Sequence, residues 1–190
     1  MISALLVIDV QSGLFDGDPR PDDADAVIAR LNALIARARD AGAPVIFVRH
    51  ERPGTALEPG APGWAFQAQL DVHDDDLIVG KTSPDAFLRT ALEPLLVSLN
   101  VEQLVIGGYA SDFCVDTTTR RAAALGYPVV LAADAHTTHD KPHLTAARIR
   151  EHHNATLSDI VSFGVPIRAV DSAQIQFDRV ERAAARGSQR

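Results

Sequence analysis

The chain has 190 residues, 46% hydrophobic and 23% charged, so it fits one globular domain with a sizeable core and is not disordered. Its net charge of −7 removes the basic face that nucleic acid or an acidic membrane surface would need, and no run approaches the ~20 apolar residues of a membrane span. The single cysteine allows neither an internal disulfide nor a thiolate zinc cluster, and with no signal-peptide pattern at the start the expected compartment is the cytoplasm.

Ala4–Val10 (ALLVIDV) reads as a buried strand with Asp9 near its carboxyl end, and Gln11–Phe15 turns out of it. From Pro21 to Ala41 apolar residues recur at helical spacing, with Gly42 as the stop. Pro44–Val48 is a second strand that delivers Arg49 and His50. The next thirteen residues, Glu51–Gly63, hold three prolines and three glycines, so they form an irregular loop, a kind usually kept for function. Trp64 and Phe66 follow it. Leu77–Val79 is a third strand with Lys81 at its exit, and Pro84–Leu99 fits a helical segment interrupted at Pro94.

The centre of the chain is a strand at Leu104–Ile106, a helix from Asp112 to Leu125 and a strand at Val129–Ala133, with Cys114 at the helix mouth and Ser111 as candidate N-cap. Pro142–His153 reads as a further helix stopped by Asn154, Asp159–Phe163 as an edge strand, and Gln174–Ala185 as a short last helix. This alternation of continuous apolar strands and amphipathic helices predicts an α/β fold in which helices cover both faces of a parallel sheet. DVQSGLF after the first strand is not a GxGxxG fingerprint, which disfavours a dinucleotide.

Asp9, Lys81 and Cys114 all stand where predicted strands end, and in a parallel sheet those ends share one rim. Together they suit nucleophilic chemistry. A helix N-terminus and a lysine would favour the thiolate of Cys114, while Asp9 would carry the proton. Each residue alone has a plainer reading: a buried small hydrophobe, a turn cap and a solvated lysine.

In sequence the chain resembles the isochorismatase-like hydrolases, also called cysteine hydrolases. The matching stretches are ALLVIDVQSGLF at 4–15, VIFVRH at 45–50, LEPGAPGW at 57–64, GKTSPDAF at 80–87 and GGYASDFCVDTTTRRAAALGYPVVLAADAHTT at 107–138. The resemblance implies a three-layer αβα sandwich around a mostly parallel, Rossmann-like sheet, as one domain over residues 1–190. It further implies a catalytic triad of Asp9, Lys81 and Cys114. A cis peptide before Ala110 would let the N–H groups of Ala110 and Cys114 form an oxyanion hole. The expected reaction is hydrolysis of a small amide, carbamoyl or ureido compound by water through a thioester-type intermediate, with no cofactor.

The resemblance has departures. The Asp-x-His metal segment of nicotinamidases reads RHERPGTALEPG here, so no metal is expected at His50, and the histidines at 136, 139, 143, 152 and 153 straddle a loop and a helix end. Isochorismatases proper lack the cysteine, which argues against vinyl-ether hydrolysis. Gln11, Phe15, His50, Trp64 and Tyr109 are the candidate substrate contacts, while Arg49 is either a carboxylate contact or a surface partner. Phe113 and Thr117–Thr119 read as packing. A nicotinamidase- or isochorismatase-type hydrolase, a non-catalytic module on the same scaffold and a thiol redox sensor are the competing readings. A homo-oligomer is expected, with residues 166–190 as an extension and its apolar part, Ile167–Phe177, as the contact.

Overall fold

The apolar run at the start of the chain becomes β1 (Ser3–Ile8), buried along its whole length in the computed structural model, whose described residues are 1–179. Ala4, Leu6 and Ile8 enter one core while Leu5 and Val7 enter another, which is why the run carries no polar alternation. Next come the single turn α1 (Ser12–Phe15), α2 (Ala24–Ala41), β2 (Val45–His50), β3 (Leu77–Lys81) and α3 (Leu92–Ser98). β4 (Gln103–Tyr109), α4 (Asp116–Ala124), β5 (Val129–Thr137), α5 (Ala146–Asp159) and β6 (Ile167–Val170) complete the order.

The strands form one six-stranded parallel sheet in the order β3-β2-β1-β4-β5-β6. α2 packs on one face through Val27, Leu31, Leu34 and Ile35. The opposite face is covered by α3, α4 and α5 through Leu92, Leu96, Ala122, Ala123 and Leu157. This is the expected three-layer architecture. The chain leaves β1 for β2 on one side and takes up β4 on the other, so the crevice where such sheets bind ligands opens at the carboxyl ends of β1 and β4. Gly108 makes that junction possible. It pairs with Ile8 at φ +118, and a Cβ there would stand 2.1 Å from the Ile8 carbonyl oxygen.

Several boundaries depart from the sequence reading. α2 starts at Ala24 and not at Pro21, because Asp23 is left-handed (φ 55). Residues 84–91 are turns, not helix. There Ser83 accepts from the Asp85 N–H, Asp85 from Phe87 and Thr90 from Leu92, local bonds that compete with helix formation. Pro94 then falls in the first turn of α3, where its missing N–H costs nothing.

α5 begins at Ala146, whose N–H is taken by Asp140, and it runs past Asn154 to Asp159. Asn154 does not stop it, since its carboxamide is spent on the Ala133 carbonyl and on His136. His152 and His153 are therefore mid-helix, and the expected edge strand at 159–163 is displaced to β6. Within the C-terminal segment, β6 joins the sheet, Ile175 is buried and Phe177 packs on the same core, so this chain itself occupies much of the expected oligomer contact. The last predicted helix is not formed as far as Arg179, beyond one 3₁₀ turn at Ser172–Gln174; the rest of it lies outside the described residues.

Candidate active site

Four neighbouring elements each deliver one side chain to the carboxyl rim of the sheet. Asp9 follows β1 in the left-handed region (φ 52), which Asp tolerates better than most residues, and there the chain turns out of the sheet. His50 ends β2 and Lys81 ends β3; the two are register partners, so their side chains emerge side by side. Cys114 lies on the turn after β4. That turn is a π-helical one at Ser111–Val115, closed by a bond from the Val115 N–H to the Ala110 carbonyl, and it follows a cis peptide between Tyr109 and Ala110.

The Lys81 ammonium is the hub. Nζ lies 2.6 Å from Asp9 Oδ2, 2.9 Å from His50 Nδ1 and 3.2 Å from Cys114 Sγ. An ammonium has three N–H donors, and each meets one acceptor. The other Asp9 oxygen, Oδ1, is buried and has no hydrogen-bond partner among the described residues. Asp9, His50 and Cys114 present atoms within 4.8 Å of one another, a set that superficially suits a metal ion. Lys81 already stands among them as a cation, so the donor set fits an ammonium and repels a second positive charge.

Burial dominates the electrostatics. It pushes the Cys114 thiol up to about 12, and the Asp9 carboxylate adds to this while Lys81 opposes it. Burial thus opposes the thiolate that a helix mouth and a lysine would favour. Ser111, expected as an N-cap, makes no capping bond; its hydroxyl is paired with Nδ1 of His136 at 2.7 Å. Burial also raises Asp9 above its usual carboxylate range against the pull of Lys81. It lowers His50 below 6.5, with Lys81 as the next cause, so the ring is neutral, accepts at Nδ1 and carries its proton on Nε2.

A cavity of about 220 Å³ opens over the half-buried sulfur. Its floor is Asp9, His50, Ala110 and Cys114, and Tyr109 forms part of the wall. Leu14, Arg52, Leu57, Pro84 and Phe113 complete the lining, and the sequence reading singled out none of them as a contact. Phe113 is 54% exposed and so is not a packing residue; its place directly before the nucleophile candidate is the available signal. Thr118, by contrast, is buried and bonds the Pro84 carbonyl.

Gln11, Phe15 and Trp64 do not line the cavity. The Gln11 carboxamide is fully buried, accepting from the His50 N–H and donating to the His50 and Trp64 carbonyls, so it clamps the end of β2 to the following loop. Phe15 is core and meets the Tyr109 ring edge-on at 5.8 Å. Trp64 lies under the Arg49 guanidinium, 3.3 Å from its ring centroid, which uses Arg49 in stacking and not on a carboxylate.

A family model of the isochorismatase domain matches residues 3–171. Streptothricin hydrolase of Streptomyces noursei is 39% identical over 142 residues, 74% of this chain and 51% of its own length. The chain thus spans about half the length of that relative. Ureidoacrylate amidohydrolase of Variovorax paradoxus is 27% identical over 170 residues, 70% of this chain and 68% of the relative. The crystal structure of an isochorismatase family protein superposes with a TM-score of 0.80 at 37% identity, covering 89% of this chain and 98% of that one.

Proposed function

Because the chain belongs to the isochorismatase family of hydrolases, we propose that it cleaves a C–N bond in a small amide, carbamoyl or ureido compound, with Cys114 as nucleophile. The observation that carries this reading is the shared ammonium: Lys81 bonds both Asp9 and Cys114 on the floor of one cavity. The streptothricin hydrolase and ureidoacrylate amidohydrolase named above support hydrolysis, and the latter's name supports amide-type substrates.

The steps follow from the protonation states. Asp9, with Oδ1 unpartnered, takes the thiol proton as Sγ bonds the substrate's carbonyl carbon. The carbonyl oxygen becomes an oxyanion held by the N–H groups of Ala110 and Cys114, donors of a kind worth about 2.7–4 kcal/mol each. Asp9 then returns the proton to the nitrogen, the C–N bond breaks and an amine or ammonia leaves. A water loses its proton to Asp9 and attacks the thioester; the C–S bond breaks, and Sγ recovers the proton. Lys81 stays charged throughout, offsetting whichever of Asp9 or Sγ is anionic.

Ammonia release from a panel of small amides, ureas and carbamoyl compounds tests the reading, with Cys114→Ala as control. Turnover should vanish in the variant, and mass spectrometry of the wild type at early times should find the acylated Cys114 peptide. Turnover by the variant equal to wild type discards the nucleophile.

A further inference from the structure

The floor of the cavity is electrically balanced. Asp9 and Lys81 offset each other at 2.6 Å, and burial disfavours charge on both Cys114 and His50. Much of the wall is apolar or aromatic: Leu14, Leu57, Pro84 and Phe113. Arg52 is the exception. It lines the same cavity, and its charge reaches far enough inward to depress protonation of His50.

The acids nearest in sequence do not neutralise it. The Glu51 carboxylate lies over Gly80, 2.7 Å from where a Cβ would be, and the Glu58 carboxylate accepts from the Gly54 N–H at 2.9 Å. Among the described residues Arg52 makes no ion pair, whereas Lys141, 5.2 Å from the Phe113 ring centroid, is 3.5 Å from Asp112.

The backbone around Arg52 is fixed even though its side chain is free. Its N–H donates to the Leu57 carbonyl at 3.0 Å, and Thr55 Oγ1 donates to the Arg52 carbonyl at 2.7 Å. The same Thr55 oxygen accepts from the Leu57 N–H at 3.2 Å. The loop then docks on α1 backbone to backbone, so closely that a Cβ on Gly13 would meet the Gly63 carbonyl oxygen at 2.9 Å. Arg52 and Leu57 are thus held as one unit, a cation beside an apolar surface, facing a neutral floor.

From this we infer that the substrate is an acid as well as an amide: a carboxylate on Arg52 and, a short apolar spacer away, the scissile carbonyl over Cys114. A guanidinium presents a planar fork matched to a carboxylate. The cavity, about 220 Å³, has room for roughly seven waters at about 30 Å³ each, which fits a spacer of a few carbons. The inference rests on the amide-hydrolase reading for its chemistry and adds the recognition element.

Two matched pairs of compounds separate the two claims: succinamate against n-butyramide, and 3-ureidopropionate against n-propylurea. Each pair differs in a carboxylate replaced by methyl. The wild type should prefer the acid of at least one pair by about tenfold or more in kcat/KM, the scale of a charge-assisted contact. Arg52→Met should collapse that preference toward one, chiefly through KM, and Arg52→Lys should restore part of it. Equal use of acid and neutral partner, or a preference that survives Arg52→Met, overturns the role of Arg52 and leaves the hydrolase reading standing. Where none of the four is turned over, calorimetry decides. Cys114→Ala should bind succinamate more tightly than Cys114→Ala/Arg52→Met, and equal binding overturns the inference.

Discussion

Nδ1 of His136 lies 2.7 Å from the hydroxyl of Ser111, inside the turn that carries Cys114. The other ring nitrogen donates to Asn154 Oδ1 at 2.8 Å, the direction being set by the Asn154 amide, which itself donates to the Ala133 carbonyl. Thr138, just past β5, holds the next residue too, its hydroxyl donating to Asp112 Oδ1 at 2.6 Å. His136 is fully buried, and burial pushes its pKa down to about 4.

A histidine depressed in the folded state makes stability depend on pH with a fixed sign. Above 6.5 it is neutral in both states. As pH falls from 6.5 toward 4 the unfolded chain binds a proton that the folded one refuses, and stability drops by up to roughly 3 kcal/mol. Urea unfolding at pH 7.5, 5.5 and 4.5 should show a steeper loss in wild type than in His136→Gln; equal slopes reject the assignment.

Asp9→Asn should separate two properties of the sulfur. The carboxylate raises the Cys114 pKa, and removing it leaves Lys81 beside the thiol, so iodoacetamide should alkylate the variant faster at pH 8. Amide turnover should fall by about 10²–10⁴ because the proton carrier is gone. Alkylation that slows in parallel with turnover contradicts a carboxylate that holds the thiol pKa up.

Lys81→Met removes the counter-charge of a buried carboxylate. The Lys81–Asp9 pair is nearly solvent-free, with side chains 0% and 2% exposed, so the loss should be about 3–5 kcal/mol. Adding Asp9→Asn should recover a good part of it. A double variant no more stable than Lys81→Met alone shows that the buried charge is not the cause.

The acid limb of kcat/KM should lie above the usual carboxylate range, because burial raises Asp9, while His50, lowered by burial and by Lys81, gains its proton only below 6.5. Charging His50 places a second cation against Lys81 and removes its third acceptor. His50→Gln keeps a neutral acceptor that does not titrate, so its limb should reflect Asp9 alone and be less steep. A pH–rate profile identical to wild type excludes His50 from the titration.

The sheet was readable from the chain because each strand is a run such as ALLVI or VIFV, and strand ends mark one rim whatever the order of strands. That was enough to group Asp9, Lys81 and Cys114. What did not show was anything decided by tertiary hydrogen bonds. Asn154 looks like a helix stop until His136 and Ala133 claim its amide. Gln11 looks like a substrate contact until the end of β2 takes both ends of its side chain. Arg52 and Leu57 were hidden in a loop whose composition announces function but whose fold depends on Thr55 and on a backbone contact with Gly13. That burial opposes the Cys114 thiolate is hidden for a related reason: helix position is local, whereas desolvation is collective.

The strand order also sets a timetable. β1 is central, flanked by β2 and by β4, which starts about a hundred residues later. A ribosome therefore releases β1, β2 and β3 with one edge of β1 still bare, a template for wrong partners until β4 emerges. Asp9 and Lys81 are both made before that moment and the sulfur after it, so a nascent chain stalled short of Gln103 would hold a carboxylate and an ammonium but no nucleophile. Escape from misassembly during synthesis depends on the same edge that later completes the reactive rim.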